Sequence, residues 1–179
     1  MCGICGYSGN HLPNVLSRMN DALIHRGPDE SGRFRGENVH FAMRRLSIVD
    51  LVKGGQPSSN ETKDIHVVFN GEIYNHQALR EQLEKKGHQF RSSHSDTEVI
   101  VHLYEEEGDN WPKYVNGMFA VAIFDQRDKS IRLYRDRIGQ KPLYYSEING
   151  ELIFASEIKS VLMHPAVSRK LDYSALYSY

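Results

Sequence analysis

Two cysteines, Cys2 and Cys5, are the first residues of the sequence that could do chemistry, and they lie among glycines in the opening stretch MCGICG. They are the only two cysteines in the 179 residues. Their types and spacing leave four interpretations open: packing residues of a buried strand, half of a zinc site, a redox dithiol, or a cysteine nucleophile at the start of the mature chain. Each interpretation makes a different demand on the rest of the sequence.

The zinc and redox interpretations find little support elsewhere in the sequence. A structural zinc site needs about four ligands, usually in closely spaced pairs. No second cysteine pair exists, and the nine histidines are scattered without an H-E-x-x-H motif. A thioredoxin-like dithiol prefers a C-x-x-C between a strand and a helix, whereas this pair begins at residue two. We therefore predict no metal site, and we interpret Cys5 as a packing residue.

Position two itself favours the nucleophile interpretation for Cys2. Removal of Met1 exposes Cys2 with a free α-amine beside its own thiol. An α-amine has a pKa of about 7.7–8.0 and a thiol of about 8.5, so the amine can accept the thiol proton at neutral pH. One residue then supplies both nucleophile and base. If Met1 is retained, the amine becomes an amide, and we expect the site to be inactive.

Charge and composition narrow the classes of partner. The chain has 22 Lys and Arg against 23 Asp and Glu, so its net charge of -1 gives no reason to expect nucleic acid or an anionic membrane. No stretch approaches the roughly 18–20 apolar residues of a membrane span, and the start lacks a signal-peptide pattern. We expect about one soluble domain, in the cytoplasm with reduced thiols, that binds a small molecule.

Sequence periodicity predicts the elements that must position these groups. Three segments have the spacing of longer helices, and two further segments that of short ones: 13–27, 75–87, 95–108, 156–165 and 171–179. Four segments have the alternating or β-branched pattern of strands: 38–50, 65–75, 118–136 and 143–156. Ser95 and Glu98 have the spacing of a capping box, and Asn149-Gly150 is a strong hairpin signal. The order of the elements favours an α+β fold with largely antiparallel sheets.

Six more motifs follow MCGICG in order: HRGPDESG, RRLSIVD, FNGEIYNHQALR, SDTEVI, NGMFAVAIFD and RDRIGQKPLYY. Together the seven resemble the glutaminase domain of the class II glutamine amidotransferases, most closely that of the glutamine-dependent asparagine synthetases. The resemblance covers essentially the whole chain. It implies a fold of N-terminal nucleophile (Ntn) hydrolase type, a four-layer αββα sandwich with two mainly antiparallel sheets.

The resemblance also implies a reaction and the residues that carry it out. Cys2 attacks the side-chain amide of L-glutamine, forms a γ-glutamyl thioester with release of ammonia, and is regenerated by water. The Asn70 side chain and the Gly71 backbone N–H are implied as donors to the negative oxygen of the tetrahedral intermediate. Taken alone, Asn70-Gly71 is more typical of a turn.

The same resemblance implies how glutamine is held. Arg45 binds the α-carboxylate through two parallel N–H bonds, with a solvated surface arginine as the alternative. Asp96 pairs with the α-ammonium and Glu72 contributes beside it, while a favourable charge at a helix N-terminus is the other interpretation of Asp96. The remaining wall of the pocket is implied to be backbone of four consecutive residues: Leu46, Ser47, Ile48 and Val49.

Two motifs receive weaker assignments. We expect Arg26, Gly27 and Asp29 to form a loop that braces the site, although a structural turn explains Gly27-Pro28 equally well. The segment RDRIGQKPLYY is characteristic of the family, but we assign it no chemistry beyond covering sheet and interdomain surfaces.

The predicted domain spans 1–170, and 171–179 is interpreted as the start of a following segment or synthetase domain. We expect no cofactor in this chain. ATP and magnesium are implied only for the absent synthetase domain, in the same chain or a separate one, and a homodimer of the full-length enzyme is compatible with the resemblance. Two alternatives stay open: an amidotransferase domain serving another acceptor, such as a sugar or a metabolite carboxylate, and an N-blocked, non-catalytic docking or regulatory domain.

Overall fold

The computed structural model describes residues 2–46, 55–171 and 173–178. Its strands are β1 Gly3–Ser8, β2 Glu30–Arg35, β3 Val39–Arg45, β4 Ser58–Ser59, β5 Ile65–Ile73, β6 Gly117–Asp125, β7 Ser130–Arg135, β8 Tyr144–Ile148 and β9 Glu151–Ala155. Its α-helices are α1 Val15–Asp21, α2 His76–Lys85, α3 Asp96–Glu107, α4 Ile158–Val161 and α5 Tyr173–Tyr177. Short 3-10 helices cover Ile24–Arg26 and Gly108–Lys113.

The strands form two sheets. The first has the order β2-β3-β1-β9-β8 and the second the order β4-β5-β6-β7. Every strand pairing within the described ranges is antiparallel. The prediction of largely antiparallel sheets is therefore confirmed.

Three apolar clusters separate four layers. The first lies between α1 and α4 and the first sheet, and includes Leu16 and Val161. The second lies between the two sheets and includes Phe41 and Val68. The third lies between the second sheet and helices α2 and α3, and includes Ile100. This order of layers confirms the αββα sandwich.

Alternation along β5 explains why its sequence is almost continuously apolar. Val67 and Phe69 belong to the cluster under the helices, whereas Val68 belongs to the cluster between the sheets. Successive side chains of a strand point to opposite faces, so a strand that is covered on both faces needs apolar residues at nearly every position. Asn70, which is buried in the same strand, breaks this pattern.

Several predicted elements are confirmed and one local prediction is wrong. The hairpin turn forms at Asn149 and Gly150, both with positive φ, of 53° and 82°. The capping box does not form. Ser95 occupies the N-cap position without a side-chain capping bond, and its N–H donates to Ser92 Oγ. Glu98 accepts from the backbone and hydroxyl of Ser92 instead.

The predicted helix over 13–27 is shorter than expected, because α1 ends at Asp21 and a 3-10 turn follows it. Strand β2 was not predicted. Among the described residues, no helix combines the length and apolar character that crossing a membrane requires.

Candidate active site

A cavity of about 230 Å³ opens beside the start of β1, the end of β5 and the first turn of α3. All of the predicted site residues that the structure describes line it: Cys2, Arg45, Leu46, Asn70, Gly71, Glu72 and Asp96. Three further predicted residues, Ser47, Ile48 and Val49, lie outside the described residues. The fold therefore brings together residues from four separate motifs.

The two cysteines have different surroundings. Cys2 is partly exposed and packs at the edge of the apolar cluster between the sheets. Cys5 is fully buried on the opposite face of β1, against α1 and α4, and this burial raises the pKa of its thiol to about 12. The interpretation of Cys5 as a packing residue is confirmed. Side chains three residues apart on a strand point to opposite faces. The Cys2 and Cys5 thiols are therefore directed away from each other, which argues against a redox pair between them.

Arg26 holds the backbone of Cys2. Its Nε donates to the Cys2 carbonyl oxygen at 3.0 Å, and its Nη1 lies 2.9 Å from Glu157 Oε1. Burial alone would raise the pKa of Glu157, but hydrogen bonds from Arg26, His25 and Lys159 lower it to about 2. Arg26 is thus paired with a carboxylate that stays ionised. The expectation that this loop braces the site is confirmed for Arg26.

The rest of that loop packs against Arg45. A Cβ at Gly27 would lie 2.4 Å from the backbone nitrogen of Arg45, so only glycine fits there without a shift. The N–H of Asp29 donates to the carbonyl oxygen of Arg45 at 3.2 Å.

Asn70 and Gly71 lie in the middle of β5, so the turn interpretation is wrong. Asn70 is only 1% exposed, and its side-chain Nδ2 has no hydrogen-bond partner among the described residues. A buried donor without a partner costs about 1–3 kcal/mol. Such a donor on a cavity wall is suited to a ligand oxygen that is absent from the free protein.

The backbone N–H of Gly71 points to the edge of β5 that faces away from β6. Phe69 N–H donates to Gln56 Oε1 at 2.8 Å and Ile73 N–H donates to Asp96 Oδ2 at 3.1 Å, both away from β6. Alternation along an antiparallel strand directs the Gly71 N–H between these two. Glycine is also required for packing, since a Cβ would lie 2.0 Å from the carbonyl oxygen of Met118 on β6.

Arg45 ends β3 and is 6% exposed, so the solvated-surface interpretation is wrong. Its Nη1 lies 2.8 Å from Glu30 Oε2, which fixes the guanidinium at the cavity wall. The preceding Arg44 points to the opposite face of the strand and pairs there with Asp21 of α1. Of the two adjacent arginines, the second is the one that faces the cavity.

Asp96 is the first residue of α3 and lines the cavity. Burial raises the pKa of its carboxyl, and the nearby carboxylate of exposed Glu72 adds to this shift. A cation in the cavity would reverse the effect by favouring the ionised carboxylate. The position at a helix start is compatible with this role, so both interpretations of Asp96 can hold together.

Comparison with known proteins agrees with this geometry. The family model described as "Glutamine amidotransferase domain" matches residues 1–179. The chain belongs to this family. Asparagine synthetase [glutamine-hydrolyzing] 2 of Bacillus subtilis (strain 168) is 45% identical over 185 residues, covering 99% of this chain and 24% of that protein. Asparagine synthetase [glutamine-hydrolyzing] 3 of Arabidopsis thaliana is 47% identical over 167 residues, covering 90% and 28%.

The glutamine amidotransferase domain therefore spans about a quarter of the length of the curated relatives it matches. Among solved structures, an allosteric regulatory enzyme of purine biosynthesis superposes with a TM-score of 0.76 at 21% identity, covering 90% of this chain and 43% of that one. The glutamine phosphoribosylpyrophosphate (PRPP) amidotransferase from B. subtilis gives 0.73, also at 21% identity. At this identity the likeness shows the fold, and it confirms the Ntn-type sandwich.

Gln56 and Lys141 are among the residues of the amidotransferase cavity that were not predicted as site residues. Gln56 bridges the open edge of β5 to the start of α3, because its Oε1 accepts from Phe69 N–H and its Nε2 donates to Thr97 Oγ1 at 3.1 Å. No motif marked this residue. Lys141 belongs to RDRIGQKPLYY, a motif without an assigned chemistry, yet it lines the cavity and is only 6% exposed.

Asp136 explains why Lys141 reaches the cavity. Its carboxylate accepts the backbone N–H groups of Phe119, Gln140 and Lys141 at 3.2, 2.7 and 2.9 Å. The aspartate and lysine of the motif thus shape one wall of the cavity, and they do not simply cover an interdomain surface.

Proposed function

We propose that this domain hydrolyses L-glutamine to glutamate and ammonia through a γ-glutamyl thioester on Cys2. One observation carries the proposal: a partly exposed cysteine at position two lines the same small cavity as buried Asn70, whose Nδ2 has no hydrogen-bond partner in the part of the chain that the structure describes. A nucleophile and a waiting hydrogen-bond donor are the two components that acyl transfer from an amide requires.

Two opposite charges on the cavity wall support an amino acid as the substrate. Arg45 suits an α-carboxylate, and Asp96 suits an α-ammonium. Both are partly or fully buried, so solvent screens them less than surface charges. Binding both groups leaves the side-chain amide as the part of glutamine that extends toward Cys2.

The proposed reaction needs only groups of this chain and water. With Met1 removed, the Cys2 α-amine accepts the thiol proton and the sulfur attacks the amide carbon. The Asn70 amide and Gly71 N–H donate to the resulting oxyanion. Collapse of this intermediate breaks the carbon–nitrogen bond, and the α-ammonium returns its proton to the leaving ammonia. Water then attacks the thioester, releasing glutamate and restoring the thiol.

The proposal also includes an acceptor for the ammonia. We propose that ammonia passes to an asparagine synthetase-type domain that uses ATP and magnesium, in the same chain or a separate one. The names of the relatives and their greater length support this. Helix α5 also supports the boundary at 170/171, since its Tyr173, Leu176 and Tyr177 are 71%, 60% and 96% exposed and offer an apolar surface to another domain. A cytoplasmic location suits the reduced thiol that Cys2 needs.

The test is ammonia release from glutamine by protein whose N-terminus has been defined by mass spectrometry. We expect the processed form to be active, the Cys2→Ala variant to be inactive and folded, and the Cys5→Ala variant to keep activity because its thiol faces the other side of β1. Equal ammonia release from wild type and Cys2→Ala would refute the proposal. A native chain that retains Met1 would favour the non-catalytic docking domain.

A further inference from the structure

Four side chains on the outer side of the second sheet form a compact group of metal-ligating residues, which we name the two-histidine cluster: Glu61, His88, His102 and Glu105. Each offers one ligand atom, and the four atoms lie within 4.8 Å of one another. Glu61 belongs to the loop before β5, His88 follows α2, and the other two lie on α3. The cluster therefore connects three separate segments.

The distances match a four-coordinate site. His102 Nδ1 lies 3.1 Å from His88 Nδ1, 3.0 Å from Glu105 Oε2 and 3.8 Å from Glu61 Oε2. His88 Nδ1 lies 3.7 Å from Glu105 Oε2. Ligand atoms about 2.0–2.2 Å from a tetrahedral ion are about 3.3–3.6 Å apart. These four separations bracket this range and the other two are at most 4.8 Å, so an ion needs only small side-chain movements to enter.

The hydrogen bond on the far side of His88 fixes which nitrogen faces the cluster with a lone pair. His88 Nε2 lies 3.1 Å from Glu106 Oε1, and a carboxylate requires the proton on that nitrogen. In the neutral ring, Nδ1 is then unprotonated and directed at His102. Carboxylate–histidine pairs of this kind orient metal-binding imidazoles in proteins.

Each of the two cluster carboxylates also accepts a hydrogen bond on the oxygen that faces away from the centre of the cluster. Glu61 Oε1 accepts the backbone N–H of Gln89 at 2.9 Å, which leaves Oε2 toward the centre. Glu105 Oε1 accepts from Asn60 Nδ2 at 2.8 Å, again leaving Oε2 toward the centre. Three of the four ligands thus have a second group that orients them, and two carboxylates with two neutral imidazoles give a charge of −2 that suits a divalent cation.

We propose that the two-histidine cluster is a structural site for a divalent transition-metal ion, with Zn²⁺ the best match. Zinc binds both imidazole nitrogen and carboxylate oxygen, whereas Mg²⁺ and Ca²⁺ prefer oxygen alone. Four protein ligands leave no open position for substrate, which indicates a structural role. Sequence analysis predicted no metal site because the two histidines are 14 residues apart and Glu61 belongs to another loop, so only His102 and Glu105 are close in sequence.

The ion would stabilise the segment that leads into the catalytic cavity. His102 lies six residues, or about 9 Å along α3, beyond Asp96. The chain from His88 to Ser95 runs between the cluster and the cavity wall. Binding of the ion to His88 and His102 would hold the chain on both sides of Asp96. Asp96 would then stay in place without any contact between metal and glutamine.

The first experiment measures zinc binding by the chelator-treated chain, using ZnCl₂ alone in competition with a chromophoric chelator. We expect one Zn²⁺ per chain. At free Zn²⁺ about 100 times the dissociation constant, the melting temperature should rise on the order of 5–10 °C, and MgCl₂ should not reproduce this rise. No bound zinc, or an equal shift with magnesium, would overturn the proposal.

Variants then locate the ion. His88→Gln and Glu61→Gln should each weaken zinc binding at least tenfold. Both residues are partly exposed. If His88→Gln does not fold, Glu61→Gln still tests the site, because the Glu61 side chain is 40% exposed. The matched control His11→Gln, at an exposed histidine, should bind zinc as wild type does.

Cys2→Ser separates this site from the chain terminus, where a free amine and thiol can also chelate zinc. We expect the variant to retain its zinc. Loss of binding in Cys2→Ser, or unchanged binding in a folded Glu61→Gln, would place the ion elsewhere and end the proposal. Because ammonia release is not the readout, failure of this site leaves the proposed glutaminase function untouched.

Discussion

Arg26 Nε donates to the carbonyl oxygen of Cys2 at 3.0 Å, so the loop after α1 holds the backbone of the proposed nucleophile. Glu157 pairs with the same guanidinium at 2.9 Å. This arrangement fixes the backbone of Cys2, from which the thiol extends, through a contact that does not involve the Cys2 side chain. A misplacement of about 1 Å can cost about 100-fold in rate.

We therefore expect Arg26→Gln to lower kcat for glutamine hydrolysis about 10- to 100-fold with little change in KM, because substrate contacts remain while the nucleophile is displaced. Steady-state ammonia release measures both parameters. Arg35→Gln, at an exposed arginine of β2, is the matched control and should behave as wild type. A larger effect on KM than on kcat would show that Arg26 acts on the substrate instead.

Asn70 gives a second prediction because its buried Nδ2 has no partner among the described residues. We expect Asn70→Ala to lower kcat about 100- to 1,000-fold by removing one oxyanion donor. The melting temperature should stay level or rise, since the variant also removes a buried unpartnered group. Kinetics and thermal unfolding of the same preparation test both outcomes.

Asn60 is the matched control, because it is equally buried but fully bonded. Its side chain donates to Asp64 and accepts the N–H groups of Asp64 and Ile65. Asn60→Ala should lower the melting temperature and leave kcat nearly unchanged. If the two variants lose stability equally, the Asn70 amide has a structural partner in the free protein and its assignment as an oxyanion donor fails.

Arg45 gives a third prediction. Arg45→Lys should raise KM for glutamine about tenfold or more, because lysine cannot form two parallel N–H bonds to a carboxylate. Arg44→Lys changes the neighbouring residue on the opposite face of β3 and should leave KM unchanged. An unchanged half-saturation in Arg45→Lys would remove this residue from the substrate site.

Local patterns predicted most of the helices and strands because they depend on neighbouring residues, whereas the four layers were implied only by the family resemblance. The Asn149-Gly150 hairpin requires two positive φ angles in succession, and that residue pair adopts them readily. Strand β2 escaped prediction because its sequence, ESGRFR, is largely polar and exposed. The capping box failed because Ser92, in a preceding loop, competes for both groups that would form it.

The proposed site residues could be predicted from motifs, whereas the groups that orient them could not. Cys2, Asn70 and Asp96 each stand in a short recognisable string. Gln56 acts only because the fold brings β5 and α3 within reach of one side chain, and no local pattern reports this contact. The position of Lys141 could not be predicted for the same reason, since its burial depends on the backbone hydrogen bonds that Asp136 accepts.

Asp96 gives the last prediction, which concerns pH. Burial raises the pKa of its carboxyl in the free domain. The proposed ion pair with the α-ammonium of glutamine requires the ionised form. KM for glutamine should therefore rise as the pH falls through that raised pKa. A raised native pKa also means that the folded state takes up a proton more readily than the unfolded state, so the ionised carboxylate destabilises the free domain at neutral pH and this penalty disappears on acidification.

Asp96→Asn removes the charge but keeps an oxygen that can accept the Ile73 N–H. We expect its melting temperature at neutral pH to be higher than that of wild type, and its KM for glutamine to rise about tenfold or more and lose its dependence on acid pH. Melting curves and kinetics across the acid range measure these effects. A KM that keeps the wild-type pH profile in Asp96→Asn would assign the titration to another group, with Glu72 at the cavity rim the first to test.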